Sequence, residues 1–230
     1  MDFEDFKRIY DKRKASSEGF DFVKDIFKEV REEYEKQARA KGKDPNQSWN
    51  SWSGRAFQRL VTFTIEDFLR DSHYPVGITG DGQLRKEHLP DDLEQVKRNI
   101  LVFYSNFGVV PDADIILYDK ESLKVIAVLS CKASLRERIA QAGYWKIKLQ
   151  SLTTTHSILC YLISTDNDED FVRIGKDISR DRIIVEYGEL DGAYILRDVP
   201  ESTKVKNYQH LFGDLDQIFK KWFKAPRPKK

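Results

Sequence analysis

The chain of 230 residues contains only two cysteines, one methionine and four histidines. Cys131 and Cys160 each sit in an apolar run, which predicts two buried free thiols and a reducing, cytoplasmic setting. No CxxC pair occurs, and His73, His88, His156 and His210 are scattered, so a structural zinc site is not expected. No stretch of about 18 apolar residues is present, which excludes a membrane-spanning helix. The opening residues MDFEDFKRIYDKRK lack the apolar core of a secretion signal. An excess of either charge is missing too: 39 Lys and Arg face 38 Asp and Glu, for a net charge of +1. Proteins that hold nucleic acid through their overall field are usually more basic, so any contact with a polyanion must come from a local arrangement. The basic end, residues 224–230, is read as a solvated tail.

What is present is ordinary for a globular protein, with 40% hydrophobic and 33% charged residues. Phe20, Phe22, Val23, Ile26, Phe27 and Val30 recur at helical spacing and lead into a charged stretch that ends near Gly42, Pro45 and Asn46. Ser51 or Ser53 is placed to cap a second helix carrying Ala56, Phe57, Leu60, Val61, Ile65 and Leu69. Residues 73–88, with Pro75, Gly77, Gly80 and Gly82, read as a loop, and residues 93–103 as a further helix. Residues 113–118 and 124–132 are apolar, β-branched runs joined by Asp119, Lys120, Glu121 and Ser122, a hairpin signature. Residues 135–149 read as a helix, residues 157–164, 183–187 and 193–196 as strands, and residues 208–223 as a closing helix. This order predicts an α/β fold, a mixed sheet flanked by helices. A helical N-terminal part over residues 1–48, an annex or dimer surface, would precede a core over residues 49–230.

The chemistry is expected at Pro111, Asp112, Ala113 and Asp114, followed across the hairpin by Ser130, Cys131 and Lys132. Residues two apart on a strand share a face, so Ser130 and Lys132 project together, as do Asp112 and Asp114. If the hairpin folds back, Asp112 and Lys132 converge at the ends of adjacent strands. Phosphodiester hydrolysis uses such groups together with a divalent ion. Mg²⁺ favours a carboxylate, a carbonyl and several waters, here Asp112 and the backbone carbonyl of Cys131. Lys132 would orient the attacking water and balance the developing charge. A bare spacing of this kind also occurs in turns and strand ends with no catalytic part.

Directly after Lys132 come Ser134, Arg136, Glu137 and Arg138 at the start of the predicted helix. In a major groove, arginine donates to guanine and glutamate accepts from cytosine, each good bidentate pair contributing about 1–3 kcal/mol of discrimination. Ser134 is placed to cap that helix or face a phosphate. Such a charge cluster can equally be a solvated first turn. Of the tryptophans, Trp49, Trp52, Trp145 and Trp222, packing is the simpler reading, with Trp49 and Trp52 also able to stack on DNA. The acidic run 166–170 is read as a solvated turn.

Taken together, Pro111-Asp112, Ser130-Cys131-Lys132 and Arg136-Glu137-Arg138 resemble the CCGG family of type II restriction endonucleases, of the PD-(D/E)xK fold. That family carries SxK in place of (D/E)xK, and an R-(D/E)-R element that reads neighbouring C·G pairs. Residues 52–57 look like the helix that opens these cores. The resemblance spans roughly residues 50–165. It implies Mg²⁺-dependent cleavage of double-stranded DNA at a short palindromic, GC-containing site by a homodimer. It also implies catalytic roles for Asp112, Lys132 and Ser130 and base reading by Arg136, Glu137 and Arg138. The family supplies a helix glutamate about a dozen residues after the lysine, but Gly143, Tyr144, Trp145 and Lys146 include no acid. Gln141 is the nearest polar residue there. Glu66 or Asp114 is then the candidate to complete the metal site, and Gln58 stands where related nucleases often carry glutamate. A structure-specific repair or junction nuclease of the same fold, a non-catalytic DNA-binding module and a scaffold without DNA stay open as alternatives.

Overall fold

A computed structural model of the chain describes residues 3–17, 19–42, 44–135 and 138–224, with backbone only at 3, 5 and 45–53. Three helices come first: α1 (Phe3–Lys14), α2 (Val23–Ala40) and α3 (Pro45–Ser72). Strand β1 (Val76–Thr79) and the short helices α4 (Asp81–Leu84) and α5 (Asp91–Arg98) follow. A small hairpin, β2 (Val102–Tyr104) and β3 (Phe107–Val109), leads into the central hairpin, β4 (Ile115–Asp119) and β5 (Val125–Lys132). The remainder is α6 (Arg138–Gln150), β6 (Leu159–Ser164), α7 (Arg180–Tyr187), β7 (Gly192–Ile195), β8 (Val205–Asn207) and α8 (His210–Lys224).

The main sheet has six strands in the order β1-β4-β5-β6-β7-β8. Pairing is antiparallel from β1 through β5 and parallel from β5 to β8. The expected mixed sheet flanked by helices is therefore present. The central hairpin forms because both strands are apolar up to their ends at Asp119 and at Ser130 and Lys132, while Asp119 ties the turn. Its carboxylate accepts from the Glu121 N–H at 2.9 Å and the Ser122 hydroxyl at 2.7 Å. Alternation along β4 splits its side chains between two cores. Ile115 and Leu117 enter one core with Phe57, Leu60 and Ile65 of α3, Val23 and Ile26 of α2, and Leu215 and Phe219 of α8. Ile116 and Tyr118 enter the other with Val96 of α5, Ile139 and Leu149 of α6, and Val185 of α7. The layering is helix, sheet, helix. Phe6 and Tyr10 of α1 are buried in the first core, so the helical residues before 48 share it with the sheet.

Several sequence expectations are corrected. Residues 183–187 are not a strand but the end of α7, whose first turn is capped by the Ser179 hydroxyl accepting from the Arg182 N–H at 3.0 Å. A short apolar run is ambiguous between the two forms, and the cap decides it. Residues 73–88 are not a loop throughout, since they hold β1 and α4. The helix expected over 93–103 ends at Arg98, and its last part is strand β2. Ser51 and Ser53 do not cap α3, because the helix already starts at Pro45, where proline's fixed φ suits a first turn. The acidic run 166–170 is no solvated turn at its first residue. Asp166 is 1% exposed and its carboxylate accepts the Asp170 and Phe171 N–H groups at 2.8 and 3.1 Å.

Candidate active site

The end of the sheet where β4 begins and β5 finishes gathers the charged groups. Register sets Ile115 opposite Leu129, so one further step puts Asp114 beside Ser130 on the face of Lys132. The Asp114 Oδ2 accepts the Cys131 backbone N–H at 2.7 Å and the Lys132 ammonium, also at 2.7 Å. Both side chains are mostly shielded, 24% and 15% exposed. Behind them the Gln58 amide of α3 donates to the Asp114 carbonyl at 2.8 Å. In extended chain the N–H and C=O of one residue point to the same side, so the Cys131 carbonyl also faces Asp114.

Asp112 is held elsewhere. Arg85 donates to its Oδ1 and to the Val110 carbonyl, while Gln141 and the Trp145 indole N–H, the latter at 3.2 Å, donate to Oδ2. The expected contact of Lys132 with Asp112 is thus corrected to Asp114. The alternation argument holds only inside a strand, and β4 starts at Ile115, three residues after Asp112. Burial works to raise the Asp112 pKa, yet the hydrogen bonds from Arg85 and Trp145 outweigh it and hold the carboxyl below the ordinary range. Asp81 was missed by sequence reasoning. Its N–H donates to the Ala113 carbonyl at 3.0 Å, and its carboxylate pairs with Arg85 at 3.0 Å. Burial raises the Asp81 pKa against the pull of Arg85, and the charges of Asp114 and Asp112 add to the rise. The available signal was the Gly80, Asp81, Gly82 sequence, a turn signature that can aim an acid. Gly80 is required there, because a Cβ on it would lie 2.8 Å from the Asp114 carbonyl oxygen.

Glu66 is not brought to this place. It is exposed, eight residues beyond Gln58 on α3, about 12 Å along the axis. There it lines a cleft with Gly77, Ile78, Tyr118 and Lys120, at the opposite end of β4. Ser134 does not cap α6, since its hydroxyl donates to Asp168 at 2.6 Å and the helix starts four residues later. Arg138 is exposed at that start, its N–H on the Leu135 carbonyl at 2.7 Å. Arg136 and Glu137, the tail at 225–230, and the side chains of Trp49 and Trp52 lie outside the described residues. Among the described residues, no group of three or more His, Cys, Asp and Glu is assembled as a metal cage. No helix among them is long and apolar enough to cross a membrane.

A fold of this kind, with a carboxylate and a lysine at the end of its central hairpin, matches known proteins. The family model described as BsaWI restriction endonuclease type 2 matches residues 92–218, more than half of the chain. The chain belongs to this family of type II restriction endonucleases. It is similar, at 38% identity, to a chain of Methanocaldococcus jannaschii named as type II restriction enzyme MjaVIP, over 83% of this chain and 86% of that one. It is also 36% identical to a Helicobacter pylori chain named as type II restriction enzyme HpyAORF263P, over 54% of this chain and 63% of that one. Among solved structures, the restriction endonuclease PspGI in complex with substrate DNA has the same fold. Its TM-score is 0.51 at 16% identity, covering 86% of this chain and 81% of that one. The protein is therefore an endodeoxyribonuclease, and its family cleaves DNA at specific sequences.

Proposed function

We propose that this endonuclease uses Mg²⁺ to hydrolyse both strands of duplex DNA at a short palindromic, GC-containing site, working as a homodimer. The observation that carries the reading is the Asp114–Lys132 pair, 2.7 Å apart at the end of the central hairpin. Its donors suit a hard cation. One carboxylate, one backbone carbonyl and water are what Mg²⁺ accepts, because it keeps several waters and does not need an all-protein cage. In this reading Asp114 and the Cys131 carbonyl hold the ion, with Asp112 and Asp81 close by. When bound, such an ion supplies Lewis acidity and neutralises phosphate charge.

The residues of the chain then have separate tasks. Lys132 holds the attacking water by hydrogen bond and offsets negative charge as it builds on the phosphate oxygens. Asp114 positions the ammonium, and Gln58 fixes the backbone of Asp114 from behind. Ser130, small and on the same face, leaves room where the resemblance to SxK enzymes puts serine. Asp112, with its oxygens committed to Arg85, Gln141 and Trp145, sets α6 against the strand end and so aims the segment around Arg138. Arg136, Glu137 and Arg138 read the base edges of a GC-containing, CCGG-like half-site, and Ser134 lies at the edge of that contact. A two-fold dimer matches a palindrome because each subunit meets the same half-site.

The test is a digest of one sequenced plasmid with Mg²⁺ and with EDTA, followed by mapping of the ends. Discrete fragments sharing one GC-containing palindrome, produced only with Mg²⁺, are expected. Random ends, or equal cutting in EDTA, would contradict the proposal.

A further inference from the structure

Helix α3 runs in the same direction as β4. Its Gln58 meets the carbonyl of Asp114 at the start of that strand, while Glu66, Leu69 and Arg70 line a cleft with Tyr118 and Lys120 at its far end. Residues just before and around Gln58 therefore stand at, and project past, the edge of the sheet that holds Asp114 and Lys132. The side chains there are Arg55 and Arg59, both exposed and one helical turn apart. Together with Gln58, Thr62, Phe63 and Glu66 they line an open cleft of about 430 Å³. Arg55, Gln58, Arg59 and Thr62 follow the i, i+3, i+4, i+7 pattern of one helix face. The acid of the cleft, Glu66, lies at the end turned away from the catalytic edge.

We propose that Arg55 and Arg59 form a docking site for the DNA backbone, holding phosphates next to the one that is cut. The inference rests on the nuclease reading above and adds a binding site that lies outside the Arg136–Arg138 reader. The geometry favours phosphate over base. Arginine carries a planar fork of N–H donors that matches two phosphate oxygens, and the Gln58 amide lies beside it, while the Thr62 hydroxyl is committed to the Gln58 carbonyl at 2.9 Å. A site fixed to the same helix that fixes Asp114 sets the duplex at a constant height over Lys132. Contacts of this class position the substrate and carry no sequence information.

Counterion release gives the test. Each phosphate neutralised contributes about 0.9 to the slope of log Kd against log salt. The probe is a fluorescent 30-base-pair duplex, measured by anisotropy in EDTA between 50 and 200 mM KCl. Arg55→Gln/Arg59→Gln is expected to lower the slope by about two, equally for duplexes with and without the cleavage site. Arg55→Lys/Arg59→Lys is expected to keep it. Thr62→Lys, which adds a cation to the same cleft and removes nothing from the core, is expected to steepen the slope by about one. Slopes unchanged in both the double glutamine and the Thr62→Lys proteins, with DNA still bound, overturn the docking site alone. A wild-type protein that binds no duplex overturns the nuclease reading and this site with it.

Discussion

At the scale of single residues, the two aspartates of the Pro-Asp-Ala-Asp stretch are chemically identical in sequence and different in place. Asp114 faces Lys132, whereas Asp112 faces Arg85, Gln141 and Trp145. Asp114→Asn and Lys132→Ala are each expected to lower single-turnover cleavage by at least about a thousandfold while leaving duplex affinity within a few-fold. Asp112→Asn is expected to cost less, roughly ten- to a hundredfold, through looser placement of α6. A larger loss at Asp112 than at Asp114 would reverse the assignment. Asp166 offers a titration instead. Burial, working against its two backbone hydrogen bonds and the charge of Arg197, pushes its pKa up to about 6. Its ionised form is penalised only in the folded chain. Relative to Asp166→Asn, wild-type stability should be greatest below about pH 4 and fall as pH rises through 6, by roughly 3 kcal/mol in all. Urea melts of both proteins from pH 4 to 8 measure the difference. Alternation alone could not separate Asp112 from Asp114, because both precede β4, which starts at Ile115, and alternation does not say how far past the strand end it carries.

At the scale of elements, the central hairpin, α6, β6 and α8 were legible because each carries a sustained apolar period with a turn signal at its ends. The helix α7 was not. Ile183, Ile184 and Val185 are β-branched, and the buried Arg182 that anchors them pairs with Glu186 one turn on and with two distant carbonyls. Arg182 reaches the Pro200 carbonyl at 2.7 Å and that of Phe171, contacts that no local pattern announces. Nor was β1 legible, since Gly77 breaks its apolar run. That glycine is needed: a Cβ on it would lie 2.2 Å from the ring of Tyr118. The turn after β1 bears on the proposed catalysis. Gly80→Val should displace the Asp114 carbonyl, slow cleavage about tenfold or more and lower the unfolding midpoint, since backbone has to move to admit the side chain. Circular dichroism melts alongside single-turnover rates separate the two effects. Lys146 of α6 is 3% exposed and donates to Asp191 at 2.6 Å and to the Ile158 carbonyl at 2.9 Å. Lys146→Ala leaves a carboxylate and a carbonyl short of a partner and should cost about 3–5 kcal/mol. The urea midpoint should fall with an unchanged m-value.

At the scale of the whole molecule, the Asp114–Lys132 pair sits at one end of the β4–β5 hairpin, within a sheet that carries helices on both faces. The pair is therefore held inside the sheet, and in the proposed reading the DNA lies along that edge. The proposed homodimer should have a mass of twice 26.9 kDa by light scattering. It should also convert supercoiled plasmid directly to linear product, with little nicked intermediate, because two symmetric sites act in one binding event. A monomer mass together with accumulating nicked circles would rule this arrangement out. Neither the family nor the fold required knowledge of the whole chain. The combination of Ser130, Lys132 and the arginine-flanked segment was enough to point to a restriction enzyme, while the partner of Lys132 needed three dimensions.

The two thiols have a use of their own. Cys131 is packed in the core beneath α3, and Cys160 in the core beneath α6. Burial lifts the Cys131 thiol far above its ordinary range and that of Cys160 to about 12, so neither forms the reactive thiolate while folded. Each sulfur is thus a silent clock for its own layer, started only when water reaches it. Equal modification rates under mild urea would mean that the two layers part from the sheet in a single event, whereas a faster Cys131 would locate the earliest breach in the layer between α3 and the sheet.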